Sequence, residues 1–221
     1  MKRLTLFVAL FLVLMVGILT SGIASAEQGR RYAVTITNIT RGQVITPPVV
    51  ISHDEEFHLF ALGSPAIPQL ATLAEDGVTA PLLAYVAALP TVLDTAVSSG
   101  PLMPGTSVTL EITTGGRFRY ISAASMLAST NDAFFAIRNV RVDKEGGLVV
   151  DAEAYDAGSE ANTESCAEIP GPPCGNAGVR HPDGAEGYVH VHAGIHGIGD
   201  LNPALFDWRN PVAEISIQPV R

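Results

Sequence analysis

The sequence predicts a mainly β protein, an antiparallel β-sandwich with short capping helices, organised as one domain. Two observations carry this. Short segments alternate apolar and polar residues, the period at which strand side chains point to opposite faces, and Gly, Asp and Pro clusters separate them. One stretch, from Pro68 to Ser98, breaks the pattern with apolar residues at helical spacing.

The elements follow in order. Tyr32 to Asn38 alternates through Val34, Thr35, Ile36 and Thr37, β-branched residues suited to a strand. Val49 to Ser52 and Phe57 to Leu62 are shorter strand candidates. Ile67, Leu70 and Leu73, then Leu82, Leu83, Val86 and Leu89, recur as helix faces, and Pro65, Pro68, Pro81 and Pro90 divide them into short helices. These are expected to cap one end of the sandwich. Ser107 to Thr113 and Arg117 to Ser122 flank Thr114-Gly115-Gly116, which predicts a hairpin because Gly accepts positive φ. Ala133 to Val142 and Gly147 to Tyr155 flank Asp143-Lys144-Glu145-Gly146, a second predicted hairpin. Tyr188 to His192 and Ala213 to Gln218 complete the strands, and Trp208 is expected to plug the core before the last one. Gly158 to Gly187 is the longest irregular stretch.

Residues 1–26 read as a signal peptide. Lys2 and Arg3 open it, Leu4 to Leu19 is almost continuously apolar, and Ala24-Ser25-Ala26 is a small-x-small cleavage box before Glu27. An uncleaved anchor is the alternative, but the apolar run is shorter than the ~20 residues a spanning helix needs. No Cys follows it to carry a lipid. The expected mature chain, residues 27–221, is a single domain with no membrane span, secreted to the periplasm or beyond the cell. Without Lys2 and Arg3, the 13 basic residues become 11 against 22 acidic ones. Such acidity argues against a nucleic-acid partner, which needs a basic surface.

Cys166 and Cys174 flank a Pro/Gly-rich loop, and in an oxidising compartment they predict one local disulfide. Seven intervening residues are more than zinc-knuckle spacing uses.

Two segments carry the strongest hint of chemistry. Asp132 lies in Ser129-Thr130-Asn131-Asp132-Ala133-Phe134-Phe135, just before an apolar strand. Asp156-Ala157-Gly158-Ser159-Glu160 follows the strand that ends at Tyr155. Carboxylates at the ends of adjacent strands can converge on one hard cation, and calcium accepts several oxygens in loose geometry. Asp and Gly also make ordinary turns, and that reading stands beside the first.

These segments, in this order, resemble the hallmark blocks of the spondin N-terminal domain family, a Ser-Pro-Asp-Trp-like motif and an Asp-Ala-Gly-Thr-Asp-like motif. The similarity extends through Tyr32–Asn38 and His58-Leu59-Phe60-Ala61 to Asp207-Trp208-Arg209-Asn210-Pro211-Val212-Ala213. Asn131 stands where the motif has Pro, Ala133 where an aromatic is usual, and Glu160 where a second Asp is usual. The cysteine framework of the animal members is largely missing. The resemblance implies a C2-like β-sandwich, a calcium ion held by Asp132, Asp156 and Glu160, and adhesion to a protein, matrix or surface ligand.

The histidines form a second constellation. His190-Val191-His192 on a strand puts both imidazoles on one face, and His196 follows closely. Such a set could hold copper or zinc. It defines the alternative function, a secreted oxidoreductase-like metalloenzyme. No Gly-x-Ser-x-Gly elbow and no phosphate-cradling loop is present. Asp151 and Glu153 share a strand face, which reads as a solvated surface.

Overall fold

The structure, a computed structural model, describes residues 29–142 and 146–220. The expected signal peptide and three residues of the predicted Asp143–Gly146 turn lie outside the described residues. The elements run β1 (Arg30–Asn38), β2 (Val49–His53), α1 (Pro68–Asp76), α2 (Ala80–Ala87), β3 (Val92–Val97), β4 (Ser107–Thr114), β5 (Tyr120–Met126), β6 (Ala133–Arg141), β7 (Leu148–Asp156), β8 (His190–Val191), α3 (Pro203–Phe206) and β9 (Ala213–Pro219).

The fold is mainly antiparallel β. One hydrogen-bonded path runs β3-β2-β5-β6-β7-β9-β1-β4, with β8 added alongside β7. The ends of the path approach each other, and the backbone N–H of Thr113 on β4 donates to Asp94 Oδ2 on β3 at 2.7 Å. The result is a nearly closed, barrel-like sheet. Strand β7 makes the closure work by changing partners. Its last residues, Glu153–Asp156, pair with Ala133–Ala136 of β6. Its first, Leu148–Ala152, pair instead with Ala213–Ile217 of β9.

Two cores result. Inside the sheet, Tyr32, Val34 and Ile36 of β1 meet Phe135 of β6 and Ile215 and Ile217 of β9, with Trp208 beside them. Outside it, Phe134 of β6, Ala124 of β5 and Val49 and Ile51 of β2 pack under Leu70 and Leu73 of α1 and Leu82 and Val86 of α2. Strands β5 and β6 therefore lose the polar half of their alternation, as strands covered on both faces do. Helix α1 begins at Pro68, where the missing N–H costs nothing, and ends at Gly77 in the left-handed region, φ 67°.

Several sequence expectations need correction. The helices cover the outer face of β2, β5 and β6 rather than capping an end. Val92–Val97, inside the expected helical stretch, is strand β3. Phe57–Leu62 is a loop whose Phe57, Leu59 and Phe60 are buried beneath the helices. The Thr114-Gly115-Gly116 turn forms, with mutual backbone bonds between Gly115 and Phe118. The strands it joins do not pair, because β4 lies against β1 and β5 lies between β2 and β6. The predicted strand Tyr188–His192 is reduced to His190–Val191. Cys166 and Cys174 form the expected disulfide, with Cα atoms 4.7 Å apart. Among the described residues no helix is long and apolar enough to cross a membrane.

Candidate metal centre

The register of β6 and β7 builds the centre. Ala133 pairs with Asp156, so Asp132 and Asp156 meet at the same end of the ladder. The turn entering β6 is tied by Thr130, whose Oγ1 donates to Leu127 O at 2.6 Å and accepts from Ala133 N at 3.0 Å. Ser129, Thr130, Asn131 and Asp132 are all buried. The turn leaving β7 needs Gly158. Its φ is +66°, and a Cβ there would come 2.3 Å from the carbonyl oxygen of Tyr188.

That turn folds back over Asp132. Asp132 Oδ2 accepts from Ser159 N at 2.7 Å, Ser159 Oγ at 3.1 Å and Glu160 N at 3.0 Å. Asp132 Oδ1 is buried and has no hydrogen-bond partner among the described residues. Burial, and then the charge of Asp156, push the Asp132 carboxyl up to about 8. Asp156 is equally buried. Its Oδ1 accepts from Gly158 N at 2.7 Å and its Oδ2 from Asn162 Nδ2 at 2.6 Å. Burial raises its pKa as well, despite these two bonds.

Glu160 does not join them. Its backbone N–H serves Asp132, while its carboxyl turns the other way and accepts from His181 N at 2.7 Å. There it faces Glu75 and Asp76 of α1 and Arg180, and burial pushes it up to about 7. Two of the three expected calcium ligands are thus brought together. The third is separated from them because the chain after Gly158 leaves the strand geometry that would have aimed it.

The histidines divide in the same way. The Nε2 atoms of His190 and His192 lie 3.7 and 3.9 Å from the Asp156 carboxylate, on one strand face as alternation predicts. His192 is buried against Trp208, with ring centroids 5.0 Å apart. It accepts from Gly194 N at Nδ1 and meets Asn162 Oδ1 at Nε2, and burial pushes it down to about 4. Both of its nitrogens are therefore used. The His196 side chain is exposed, and its backbone N–H is bonded to Glu164 at 2.6 Å. In place of His196 the structure brings Glu186. Asp156, Glu186 and His190 each place one ligand atom within 4.8 Å of the others. The sequence signal for Glu186 is its position four residues before His190. It is weak, because the intervening residues form a loop.

No family model matches the chain, and no curated protein matches it.

Proposed function

We propose that this is a secreted calcium-binding protein with an adhesion or partner-binding role. The observation that carries the calcium reading is Asp132, fully buried, with one carboxylate oxygen on three donors and the other on none among the described residues, beside the equally buried Asp156. A buried carboxylate without compensation is costly, and a cation relieves two of them at once. Calcium fits two carboxylates supplemented by backbone oxygen and water. Glu160 enters only through its backbone N–H, so the centre is sparser than the sequence motif implies. A sparse site leaves coordination positions for water, and calcium would serve adhesion by pinning the two turns that carry Asp132 and Asp156. The resemblance to the spondin N-terminal domain supports the same reading. It also supports the C2-like sandwich as the finer form of the antiparallel β fold.

Titration calorimetry with calcium on the wild type, Asp132→Asn and Asp156→Asn tests the metal. One equivalent bound by the wild type, with both variants weakened at least tenfold, is expected. Equal binding by all three places the ion elsewhere. Retention of the protein on matrix or cell-surface preparations in calcium, and its release by chelator, tests the adhesive role.

A further inference from the structure

We infer that Asp156, Glu186 and His190 form a binding site for a divalent transition metal ion of the zinc class, with Asn162 and His192 as its supports. This goes beyond the calcium reading, with which it shares only Asp156.

The geometry comes first. His190 Nε2 lies 3.7 Å from Asp156 Oδ1 and 4.0 Å from Glu186 Oε2. In a tetrahedral zinc site with bonds of about 2.0–2.1 Å, neighbouring ligand atoms sit about 3.4 Å apart. Small side-chain rotations close the set around an ion.

The second observation is independent of the cluster itself. His190 Nδ1 lies 3.1 Å from the carbonyl oxygen of Val191. A carbonyl only accepts, so Nδ1 carries the proton. With Nδ1 on the backbone, Nε2 is the ring atom that faces the two carboxylates. A ring N–H donated to backbone is also the usual way a metal-bound imidazole is oriented.

The supports are in place. The Asn162 amide donates to Asp156 Oδ2 at 2.6 Å and to Glu186 Oε1 at 3.3 Å, bridging the two carboxylates. Its own oxygen meets His192 Nε2 at 3.2 Å. His192 is held by Gly194 N, so it orients Asn162 instead of ligating. The segment carrying Glu186 is pinned as well. Gly187 N bonds Gly158 O at 2.9 Å, and Val189 exchanges bonds with Gly63 and Ser64. His190 and Glu186 side chains are 29% and 31% exposed, which leaves a route in and an open position for water.

Donor chemistry selects the ion. Two carboxylates and one imidazole suit zinc, whose ligands are nitrogen, oxygen and sulfur. Calcium and magnesium take oxygen alone and gain nothing from His190. The dication also balances the two carboxylate charges.

The test uses the untagged mature chain, titrated with zinc in a competing buffer, and with cobalt(II) as a spectroscopic probe. The wild type should bind one zinc, and cobalt should give the intense visible bands of low coordination. His190→Gln and Glu186→Gln should each weaken zinc at least tenfold, with melting curves confirming the fold. Both should keep the calcium-induced rise in melting temperature. Asp132→Asn should keep zinc, so failure of the calcium reading and failure of this one are separable. His196→Gln should bind zinc like the wild type. Zinc affinity unchanged in His190→Gln and Glu186→Gln, loss confined to His196→Gln, or no saturable zinc binding by the folded wild type would each overturn the assignment.

Discussion

Replacing Asp132 by Asn separates the cost of a buried charge from the benefit of a bound ion. The amide keeps an oxygen for the three donors of Ser159 and Glu160, and removes the charge that Asp156 opposes. The wild-type carboxyl is pushed from 3.8 up to about 8, first by burial and then by Asp156. A raised folded-state pKa means that the folded protein holds the proton more tightly than the unfolded chain. The associated stability is fully present below about pH 4 and is lost as pH rises through about 8. At about 1.4 kcal/mol per unit, the loss has a ceiling on the order of 5 kcal/mol. For a domain of this size, each kcal/mol moves the melting temperature by about 2–4 °C. Calcium-free melts at pH 5 and pH 8.5 should therefore show the wild type falling by several degrees more than Asp132→Asn. Saturating calcium at pH 8.5 should narrow that gap. At about 1,000 times its dissociation constant it adds about 4 kcal/mol to the wild type, and less than about 3 kcal/mol to a variant weakened at least tenfold. If the calcium-free wild type and Asp132→Asn share one pH profile, or gain equally from calcium, the buried-carboxylate argument fails.

Other expectations follow from the same geometry. Glu160→Gln should keep the calcium-induced stabilisation, because its carboxyl faces His181 and α1, and should flatten the fall in stability between about pH 4.5 and 7 seen in thermal melts. Replacing Cys166 and Cys174 together by Ser should cost about 2–3 kcal/mol through the short loop they close, read as a drop of roughly 4–12 °C in melting temperature. Asp94→Ala removes the acceptor of the Thr113 N–H and should speed hydrogen exchange at that amide, at a cost of about 1 kcal/mol, while the β1–β4 amides on the other edge keep their protection.

The strands with one covered face were legible in the sequence. In β1 the buried residues alternate with partly exposed ones from Tyr32 to Asn38, and β9 behaves alike from Ala213 to Ile217. Strand β3 was not legible. It lies at one end of the strand path, its burial does not alternate, and its Ala and Leu residues continue the composition of the helices before it. Phe57, Leu59 and Phe60 read as strand because they are apolar, yet the helices above them supply the burial. In the site, Asp132 and Asp156 could be paired because each abuts a strand end, where register carries information. Glu160 and Glu186 lie in loops, where side-chain direction depends on contacts with Glu75, His181 and Asn162 that are distant in sequence.

Glu164 shows how this fold treats a carboxylate that it uses only to hold itself together. Like Asp132 it is buried. Its Oε1 accepts from His196 N at 2.6 Å, and its Oε2 from Gly197 N at 2.7 Å and Ile198 N at 3.0 Å. Both oxygens are occupied by backbone donors, and the 196–198 loop is fastened as a result. Asn131, the residue before Asp132, accepts from Glu164 N, so the two carboxylates belong to one connected region. The same chain segment thus satisfies one buried acid completely and leaves half of another bare. Poor packing does not explain the difference, since the surrounding Ser129–Asn131 turn is fully enclosed and bonded. In the proposed calcium reading, the ion would serve the Oδ1 of Asp132, which has no donor among the described residues. Beside the second buried carboxylate, Asp156, such a cation would lower the energy of both.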